Sequence, residues 1–436
     1  MFRNNKLTRL LLATSGLLFS LSIFAGSKPP TQTQTQTQKD DVQPIQQYVL
    51  LVSIDGYHHN YNELHSPKNI NQFADKAATV KSFIPSFPTV TFPNHLTLVT
   101  GLYPANHGII SNRFYNPVLE REYAMNIHDA VTDGQFYQGT PLWSLARQQG
   151  LKSATYFWPG SEAEIAGFRP NYWLKYDGRT PNEERVQQVI DWFNLPVDER
   201  PQFVTLYFSD VDSAGHHHGP EAQQTYDAVQ YIDKMIGDLL TGLDALPFNV
   251  NVIITSDHGM AKVDEFDRIY TDKLIADNEQ LIEKFTFNND AAFSLVTATG
   301  KNKTADLLAL KLLVDKVDGL EFYLQKDIPA HLHFTNNPSI GDAIIISNNH
   351  YITSSDAKPG VIGKHGYDPR VITDMNTVLY AQGPAFKNNV MVEKAENIHL
   401  YPLIAKILGL TITEKIDGDL TVLSPLLSPQ LTDKSS

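Results

Sequence analysis

The stretch Tyr48-Val-Leu-Leu-Val-Ser-Ile54, followed at once by Asp55, decides the fold class of this chain. A second apolar run, Phe203–Phe208, comes shortly before Asp212, and a third ends two residues before Asp257. Short continuous apolar runs are typical of strands that are buried on both faces of a parallel sheet. Ligands bind beyond the carboxyl ends of such strands, so these acids are expected to share one crevice.

The same rhythm continues along the chain, where strand-like runs alternate with longer segments of helical spacing. The strand-like runs are Ile45–Ile54, Lys152–Trp158, Gln202–Phe208, Asn249–Thr255 and Asn376–Ala381. Gln223–Leu243 repeats apolar residues at helical intervals and is expected to cover one face of the sheet. The pattern predicts an α/β fold with a mostly parallel central sheet flanked by helices.

The stretch from about 263 to 360 is less regular than its surroundings. It contains a helix-like segment, Thr304–Val317, and the strand candidates Gly319–Leu324 and Ala343–Ser347. Candidate metal ligands lie on both sides of this stretch. We therefore expect the chain to leave the sheet and return, forming a small inserted cap lobe.

The first 25 residues have the composition of an export signal. Arg3, Lys6 and Arg9 are followed by the apolar run Leu10–Phe24 and by Ala25-Gly26-Ser27. The chain has no cysteine, so export without disulfides predicts a periplasmic or secreted protein. The apolar run is short for a stable membrane span, and an uncleaved anchor is the alternative.

The remaining boundaries follow from composition. Residues 26–43 are rich in alternating Thr and Gln and predict a flexible linker, and residues 44–424 are expected to form the catalytic domain. Residues 425–436 are interpreted as a peripheral C-terminal tail.

The formal net charge is −13 without a basic stripe, so a nucleic-acid-binding surface is not expected. Bound metal ions could still attract a phosphate substrate.

A nucleophile candidate stands in the segment from Phe87 to His95. Pro93 suits the first turn of a helix, so Thr91 is expected at the helix entrance, where backbone amides favour negative charge. Metal coordination could make its hydroxyl nucleophilic. An ordinary helix cap is the alternative interpretation, and Thr89 is the fallback nucleophile.

Six further residues carry metal-binding side chains near predicted strand ends. They are Asp55, Asp212, His216, Asp257, His258 and His365. We expect Asp212 and His216 in a loop after their strand. Carboxylates and imidazoles without a thiolate suit a two-metal hydrolase that binds Zn²⁺, with Mn²⁺ or Fe²⁺ as alternatives. The other histidines, including His95 and His107, are interpreted as structural, and His217 and His218 as solvated neighbours of His216 or as residues that support the metal ligands.

Several longer motifs occur in a fixed order. They are Pro88-Thr-Val-Thr-Phe-Pro-Asn-His95, Thr100-Gly-Leu-Tyr-Pro-Ala-Asn-His-Gly-Ile109 with Asn112, Phe157-Trp-Pro-Gly-Ser161, Asp212-Ser-Ala-Gly-His-His-His-Gly-Pro220, Thr255-Ser-Asp-His-Gly-Met260 and Gly363-Lys-His-Gly-Tyr-Asp368. Together they resemble the nucleotide pyrophosphatase/phosphodiesterase (type I phosphodiesterase) family of the alkaline phosphatase superfamily, including its bacterial members. The resemblance runs from about residue 47 to residue 410 and implies an alkaline-phosphatase-like fold.

The resemblance also implies a role for each matching position. One zinc ion would be held by Asp212, His216 and His365. The other would be held by Asp55, Asp257 and His258, with Thr91 bound to it as the nucleophile. The amide of Asn112 would bind a phosphate oxygen alongside the Thr91 backbone N–H. Aromatic positions that sandwich a nucleobase in bacterial members match Phe92, Tyr176 and Tyr207, for which ordinary core or rim packing is the alternative.

These roles imply hydrolysis of nucleotide phosphodiester or pyrophosphate bonds, through a phosphothreonine, with release of a nucleoside monophosphate. A neutral amide at Asn112 suits a singly charged diester, although Arg113 beside it could favour a monoester. A lipid or choline-phosphate phosphodiesterase is the alternative enzyme, and a non-catalytic metal-binding surface or sensor protein is the alternative from another class. A sulfatase is disfavoured, because position 91 is Thr. The natural substrate and the oligomeric state stay open.

Overall fold

A computed structural model describes residues 46–263, 267–357 and 361–432 of the chain. The expected export signal (residues 1–25) and linker (26–43) lie outside the described residues. Within the described part, no helix combines the length and the apolar character that crossing a bilayer requires.

Strands form five sheets in the described residues. The first nine strands are β1 Val49–Ile54, β2 Ala78–Ile84, β3 Arg113–Asn116, β4 Arg121–Ala124, β5 Ser153–Tyr156, β6 Tyr172–Trp173, β7 Phe203–Phe208, β8 Asn251–Thr255 and β9 Ala261–Lys262. The others are β10 Asp267–Tyr270, β11 Phe285–Asp290, β12 Phe293–Ala298, β13 Leu320–Leu324, β14 Ala343–Ser347, β15 His350–Thr353, β16 Gly363–Lys364, β17 Thr377–Gln382 and β18 Met391–Glu396.

The α-helices vary from four to 22 residues. They are α1 Tyr61–Leu64, α2 Lys68–Ala74, α3 Thr91–Thr100, α4 Pro104–His107, α5 His128–Val131, α6 Leu142–Gln148, α7 Asn182–Asn194, α8 Asp210–His218, α9 Gln223–Asp244, α10 Thr271–Ala276, α11 Lys303–Val314, α12 Leu400–Leu408, α13 Leu420–Leu423 and α14 Pro429–Thr432.

The central sheet has eight strands in the order β18-β2-β17-β8-β1-β7-β5-β6. Neighbouring strands pair in parallel except on the two sides of β17, which is antiparallel to both β2 and β8. The predicted α/β class with a mostly parallel sheet is therefore confirmed. Because β17 runs the opposite way, the segment before it lies at the carboxyl edge of the other strands.

The apolar run of β1 is continuous because both faces of the sheet are covered. Alternate residues point to opposite faces, so Val49 and Leu51 pack on one side and Leu50, Val52 and Ile54 pack on the other. Helices α3, α6 and α12 cover the first face, and α2, α7 and α9 cover the second. All six residues of β1 are buried, and each such aliphatic side chain contributes roughly 1.5–3 kcal/mol.

A separate four-stranded antiparallel sheet, in the order β11-β12-β14-β13, forms within the stretch where the inserted lobe was expected. It has its own apolar core, which buries Leu310 and Val314 of α11 together with Ile345 of β14. The predicted helix and both predicted strands of this stretch are present, while the domain boundaries themselves stay predictions.

The C-terminal segment differs from the expectation of a peripheral tail. Leu426 and Leu427 are buried in the core on one face of the central sheet. The backbone N–H of Ser428 donates to the carbonyl of Ala385 at 2.8 Å. The described part of this Pro- and Ser-rich segment therefore packs on the catalytic domain.

Candidate metal centre and nucleophile

The predicted ligands meet at the carboxyl edge of the central sheet. Asp55 directly follows β1, and Asp257 follows β8, which pairs with β1. His365 lies between β16 and β17 and reaches the same edge because β17 is antiparallel. Asp55, Asp257, His258 and His365 are all buried.

Asp212 and His216 lie on helix α8 and not in the loop that the sequence predicted. Residues four apart in a helix share one face, so Asp212 Oδ1 lies 3.4 Å from His216 Nε2. The helix approaches the end of β1 closely, because Gly56 has φ +68° and a Cβ there would lie 2.9 Å from Asp212 Cα. The segment is therefore helical where a loop was predicted, and both side chains still lie at the site.

The aspartate-rich group consists of Asp55, Asp257 and His258. His258 Nε2 is 3.0 Å from Asp257 Oδ2 and 3.5 Å from Asp55 Oδ1. The hydroxyl oxygen of Thr91 is 3.3 Å from the same nitrogen. Four potential ligand atoms thus converge on one small volume.

The histidine-rich group consists of Asp212, His216 and His365. His365 Nε2 is 3.6 Å from Asp212 Oδ1 and 3.2 Å from His216 Nε2. The two groups are adjacent, since the rings of His258 and His365 stack with centroids 3.5 Å apart. The structure therefore brings all seven predicted metal-contacting residues together.

The three imidazoles present the same nitrogen to the site. Nδ1 of His216 lies 2.8 Å from the Gly363 carbonyl, Nδ1 of His365 lies 2.9 Å from that of Thr89, and Nδ1 of His258 lies 3.0 Å from that of Gly259. A carbonyl oxygen only accepts hydrogen bonds, so Nδ1 must carry the proton in each ring. Each Nε2 then offers a lone pair, as a metal ligand requires.

These residues fit two divalent cations. Asp55 Oδ1, Asp212 Oδ1 and Asp257 Oδ2 are buried without a hydrogen-bond partner among the described residues. Burial raises the pKa of Asp55 and of Asp257, and the neighbouring carboxylates raise them further. Lone pairs and negative charges that face each other in a buried site are unfavourable unless cations lie between them.

Thr91 is the first residue of α3, as predicted. Amides in a first helical turn have no partner within the helix. The N–H of Phe92 donates to Asn112 Oδ1 at 2.9 Å, Pro93 has no N–H, and the N–H of Asn94 donates to Val90. The Thr91 amide is therefore the donor of this turn that can serve a ligand.

Thr89, the fallback nucleophile, has a structural role. It is fully buried, its hydroxyl donates to the Tyr367 carbonyl at 2.9 Å, and the same oxygen accepts from the Gly366 N–H at 3.0 Å. Its own carbonyl accepts from His365. Thr89 thus holds the loop that carries a candidate metal ligand.

The three candidate base-binding aromatics do not form one stack. Tyr176 is 47% exposed and its ring centroid lies 6.5 Å from that of the buried Tyr207. Phe92 is half-buried, and its ring packs edge-on against that of Tyr123, with ring centroids 6.2 Å apart. The hydroxyl of Tyr207 donates to Asp55 Oδ2 at 2.5 Å, a contact with the metal centre that the sequence did not predict.

His95 was interpreted as structural, yet it contacts both Thr91 and the candidate metal ligand Asp257. Its Nδ1 donates to the Thr91 carbonyl at 2.9 Å and lies 3.4 Å from Asp257 Oδ2, and its Nε2 accepts from the Ser53 hydroxyl at 2.8 Å. Burial lowers its pKa to about 3, so the ring is neutral. Its spacing of four residues from Thr91 within one helix was the available signal.

A third cluster, formed by His58, His59 and Asp374, also has three candidate ligand atoms close together. Here the tautomer argues against a metal. Nδ1 of His58 accepts from the Asn60 N–H at 3.1 Å, so Nε2 carries the proton and donates to Asp374 at 3.4 Å. This is the reverse of the arrangement at the metal centre, and the structural interpretation of these histidines is kept.

Comparison with known proteins identifies related sequences and folds. Human ectonucleotide pyrophosphatase/phosphodiesterase family member 1 is 34% identical over 374 residues, which are 83% of this chain and 40% of that protein. An uncharacterized pyrophosphatase/phosphodiesterase of Schizosaccharomyces pombe is 31% identical over 392 residues, 84% of this chain and 78% of that protein. This chain thus spans well under half the length of the human relative.

Among solved structures, murine ectonucleotide pyrophosphatase/phosphodiesterase 5 superimposes with a TM-score of 0.81 at 28% identity, over 88% of this chain and 100% of that one. That protein was solved as an inactive threonine-to-alanine variant in complex with AMP. The family model described as "Type I phosphodiesterase / nucleotide pyrophosphatase" matches residues 49–368. The chain belongs to this family of hydrolases, within the alkaline phosphatase superfamily.

Proposed function

We propose that this protein cleaves phosphodiester or phosphoanhydride bonds of nucleotides and releases a nucleoside monophosphate. The observation that carries the proposal is the Thr91 hydroxyl at the entrance of α3, 3.3 Å from the candidate metal ligand His258. A binding or sensor protein has no need of a hydroxyl at this position. The AMP bound by the murine relative supports a nucleotide product.

The proposed cofactors are two zinc ions. The aspartate-rich group would hold one and the histidine-rich group the other, and the nitrogen and oxygen donors without thiolate suit Zn²⁺. When bound, the two ions would lower the pKa of the nucleophile and neutralise charge on the attacking and leaving oxygens. Mn²⁺ or Fe²⁺ would be accepted by the same ligands.

Thr91 would carry the phosphate together with its esterified nucleoside between two displacement steps. Its oxygen attacks phosphorus and loses its proton, and the bond to the leaving group breaks with the electron pair on the leaving oxygen. Water then attacks the phosphothreonine, the bond between phosphorus and the Thr91 oxygen breaks, and Thr91 regains a proton. The phosphate stays in one place during both steps.

Asn112 would orient that phosphate. Its Oδ1 accepts from the Phe92 N–H, so its amide nitrogen remains as a donor beside the Thr91 backbone N–H. Arg113, the residue that could have favoured a monoester, is 66% exposed at its side chain and pairs with Glu122 at 2.5 Å. Neutral donors suit a singly charged diester better than a dianionic monoester. Tyr176 would contact the base.

A substrate panel on zinc-loaded protein tests the proposal. The panel contains nucleoside triphosphates, dinucleotides, sugar nucleotides, nitrophenyl-thymidine phosphate, nitrophenyl phosphate and choline-phosphate lipids, with products identified by mass. We expect a nucleoside monophosphate from the nucleotide substrates. A strong preference for nitrophenyl phosphate would overturn the diesterase assignment, and a preference for the lipids would replace nucleotides as the substrate class.

A further inference from the structure

Lys364 directly precedes the candidate ligand His365, and the sequence analysis gave it no role. It belongs to β16, and its Nζ lies 3.1 Å from Oδ1 of Asp290, the last residue of β11 in the four-stranded sheet. The side chains of Lys364 and Asp290 are only 19% and 17% exposed. An ammonium group is thus held beside the metal centre by a carboxylate from another sheet.

The backbone around Lys364 is fixed on both sides. Lys364 pairs with Ala261 across β16 and β9. The Gly363 carbonyl accepts from His216, and His365 donates to Thr89. Both neighbours of Lys364 are therefore tied to the candidate metal ligands or to the loop that holds them, so the lysine stem starts from a well-defined position.

The charge of Lys364 reaches the metal centre. The segment that carries Lys364 packs against α8, since a Cβ on Gly363 would clash with the Gly215 carbonyl oxygen and the Ile362 N–H donates to the His216 carbonyl at 2.9 Å. Lys364 also interacts with the Asp212 carboxylate. The neighbours of this positive charge therefore include Asp212 and His365, two members of the histidine-rich group.

We propose that Lys364 is a specificity-determining residue that binds a phosphate of the leaving group, so that the protein prefers nucleotide phosphoanhydrides to esters whose leaving group lacks a phosphate. This inference rests on the proposed function. It also rests on Thr91 binding with the aspartate-rich group, which leaves the histidine-rich group for the leaving oxygen and any leaving phosphate beside it. An ammonium has three N–H donors, and one bond to Asp290 leaves two for phosphate oxygens.

The competing explanation is that the ion pair only clamps the four-stranded sheet onto the metal loop. A clamp would support every substrate equally, because it acts through the position of His365. A phosphate-binding lysine would discriminate between substrates that share a nucleoside and differ in the leaving group. The two explanations therefore predict different ratios of kcat/KM between two such substrates, whereas both allow a loss of the absolute rate.

The test compares Lys364→Met with wild type on thymidine triphosphate and on nitrophenyl-thymidine phosphate, with zinc content measured in each preparation. We expect kcat/KM for the triphosphate to fall at least about tenfold more than that for the nitrophenyl ester, as loss of a bond to a charged group implies. The inhibition constant of pyrophosphate against the ester should rise by a similar factor. Lys364→Arg should restore most of the preference for the triphosphate.

Two results would overturn the inference. If the ratio of kcat/KM between the two substrates is unchanged in Lys364→Met, the lysine does not bind the phosphates of the leaving group. A parallel loss of both activities together with zinc means that the pair is a clamp, and Asp290→Asn should then behave in the same way. Wild-type protein that hydrolyses neither thymidine substrate would instead contradict the proposed function itself.

Discussion

The hydroxyl oxygen of Thr91 lies 3.3 Å from Nε2 of His258, although 167 residues separate the two in sequence. Thr91 begins α3, while His258 follows β8, so helix and sheet together create the contact. A cation that bound both atoms would lie about 2 Å from each, which a separation of 3.3 Å allows. This is the arrangement that a threonine needs in order to act as a metal-activated nucleophile.

Replacement of Thr91 by alanine should abolish turnover and leave the metal ligands intact. We expect a loss of at least about 10³-fold in kcat on nitrophenyl-thymidine phosphate, because the Thr89 hydroxyl nearby is bonded to the Tyr367 carbonyl and cannot take its place. Zinc content and melting temperature should stay close to those of wild type. Thr91→Ser keeps the hydroxyl and should retain part of the activity. Full turnover by the alanine variant would exclude the covalent mechanism.

Removal of metal should destabilise the protein. Three buried carboxylate oxygens face one another without hydrogen-bond partners among the described residues, and bound cations would neutralise them. At a free-zinc concentration 100 times the dissociation constant, each ion should stabilise the fold by about 2.7 kcal/mol. We expect a chelator to lower the melting temperature and to stop turnover, and added zinc to restore both.

Variants of the two ligand groups provide the matched control for that measurement. Asp212→Ala should lose the ion of the histidine-rich group, and Asp257→Ala should lose the ion of the aspartate-rich group. Metal analysis should then give one zinc per chain in each variant against two in wild type. A chelator-treated protein with an unchanged melting temperature would contradict the assignment of a bound metal.

The ligands could be found in the sequence because burial on both faces of a sheet leaves continuous apolar runs that end at them. The loop expected at Asp212 was wrong for a different reason. Helix α8 contains Asp, Ser, Gly and three His residues, which are weak helix formers. Packing overrides that preference, since Gly215 lies against Met260 and α8 against the end of β1. Such contacts cannot be read from local composition.

The contacts of His95 with Asp257 and of Tyr207 with Asp55 were missed because these partners are remote in sequence. Asp257, which lies near His95, follows a different strand, and Asp55 is 152 residues away from Tyr207. A local spacing rule detects pairs within one helix or turn. It does not detect side chains that the strand order of a sheet brings together, and the order of the eight strands was not predicted.

His95 should act as a positioning residue for the nucleophile. It connects the Thr91 carbonyl to Ser53 of β1, next to Asp257. We expect His95→Gln to lower kcat about 10- to 100-fold, the range typical of residues that orient ligands. KM should change less. Ser53→Ala removes the partner of the other ring nitrogen and should give a smaller effect in the same direction. A His95→Gln variant that differs only in thermal stability would show a structural role alone.

Tyr176 and Tyr207 should be separable by their effects. Tyr176→Ala removes an exposed ring that would stack on the base, a contact worth about 1–3 kcal/mol, so KM should rise with little change in kcat. Tyr207→Phe keeps the ring and removes the hydroxyl that donates to Asp55. It should weaken zinc binding and leave the preference for nucleotides unchanged. Equal KM values for wild type and Tyr176→Ala would show that Tyr176 does not bind the base.

His107 should make stability depend on pH. Its ring is fully buried, and Nε2 donates to the Pro93 carbonyl while Nδ1 accepts from Ile109. Burial lowers its pKa to about 3, whereas the unfolded chain titrates at the ordinary value of 6.5. The unfolded state therefore binds the proton more tightly, and the free energy of unfolding should fall as pH decreases from 6.5 towards 3, by at most about 1.4 kcal/mol per pH unit.

His107→Gln removes this titrating group. Its destabilisation relative to wild type should be largest at pH 7 and should shrink as the pH is lowered to 4, in denaturant unfolding followed by circular dichroism. Ser144→Ala deletes another buried hydrogen bond, from Ser144 to the Ile165 carbonyl, but removes no titrating group. Its destabilisation should be the same at each pH. A His107→Gln difference that is equally independent of pH would mean that His107 binds its proton equally well in the folded and unfolded states.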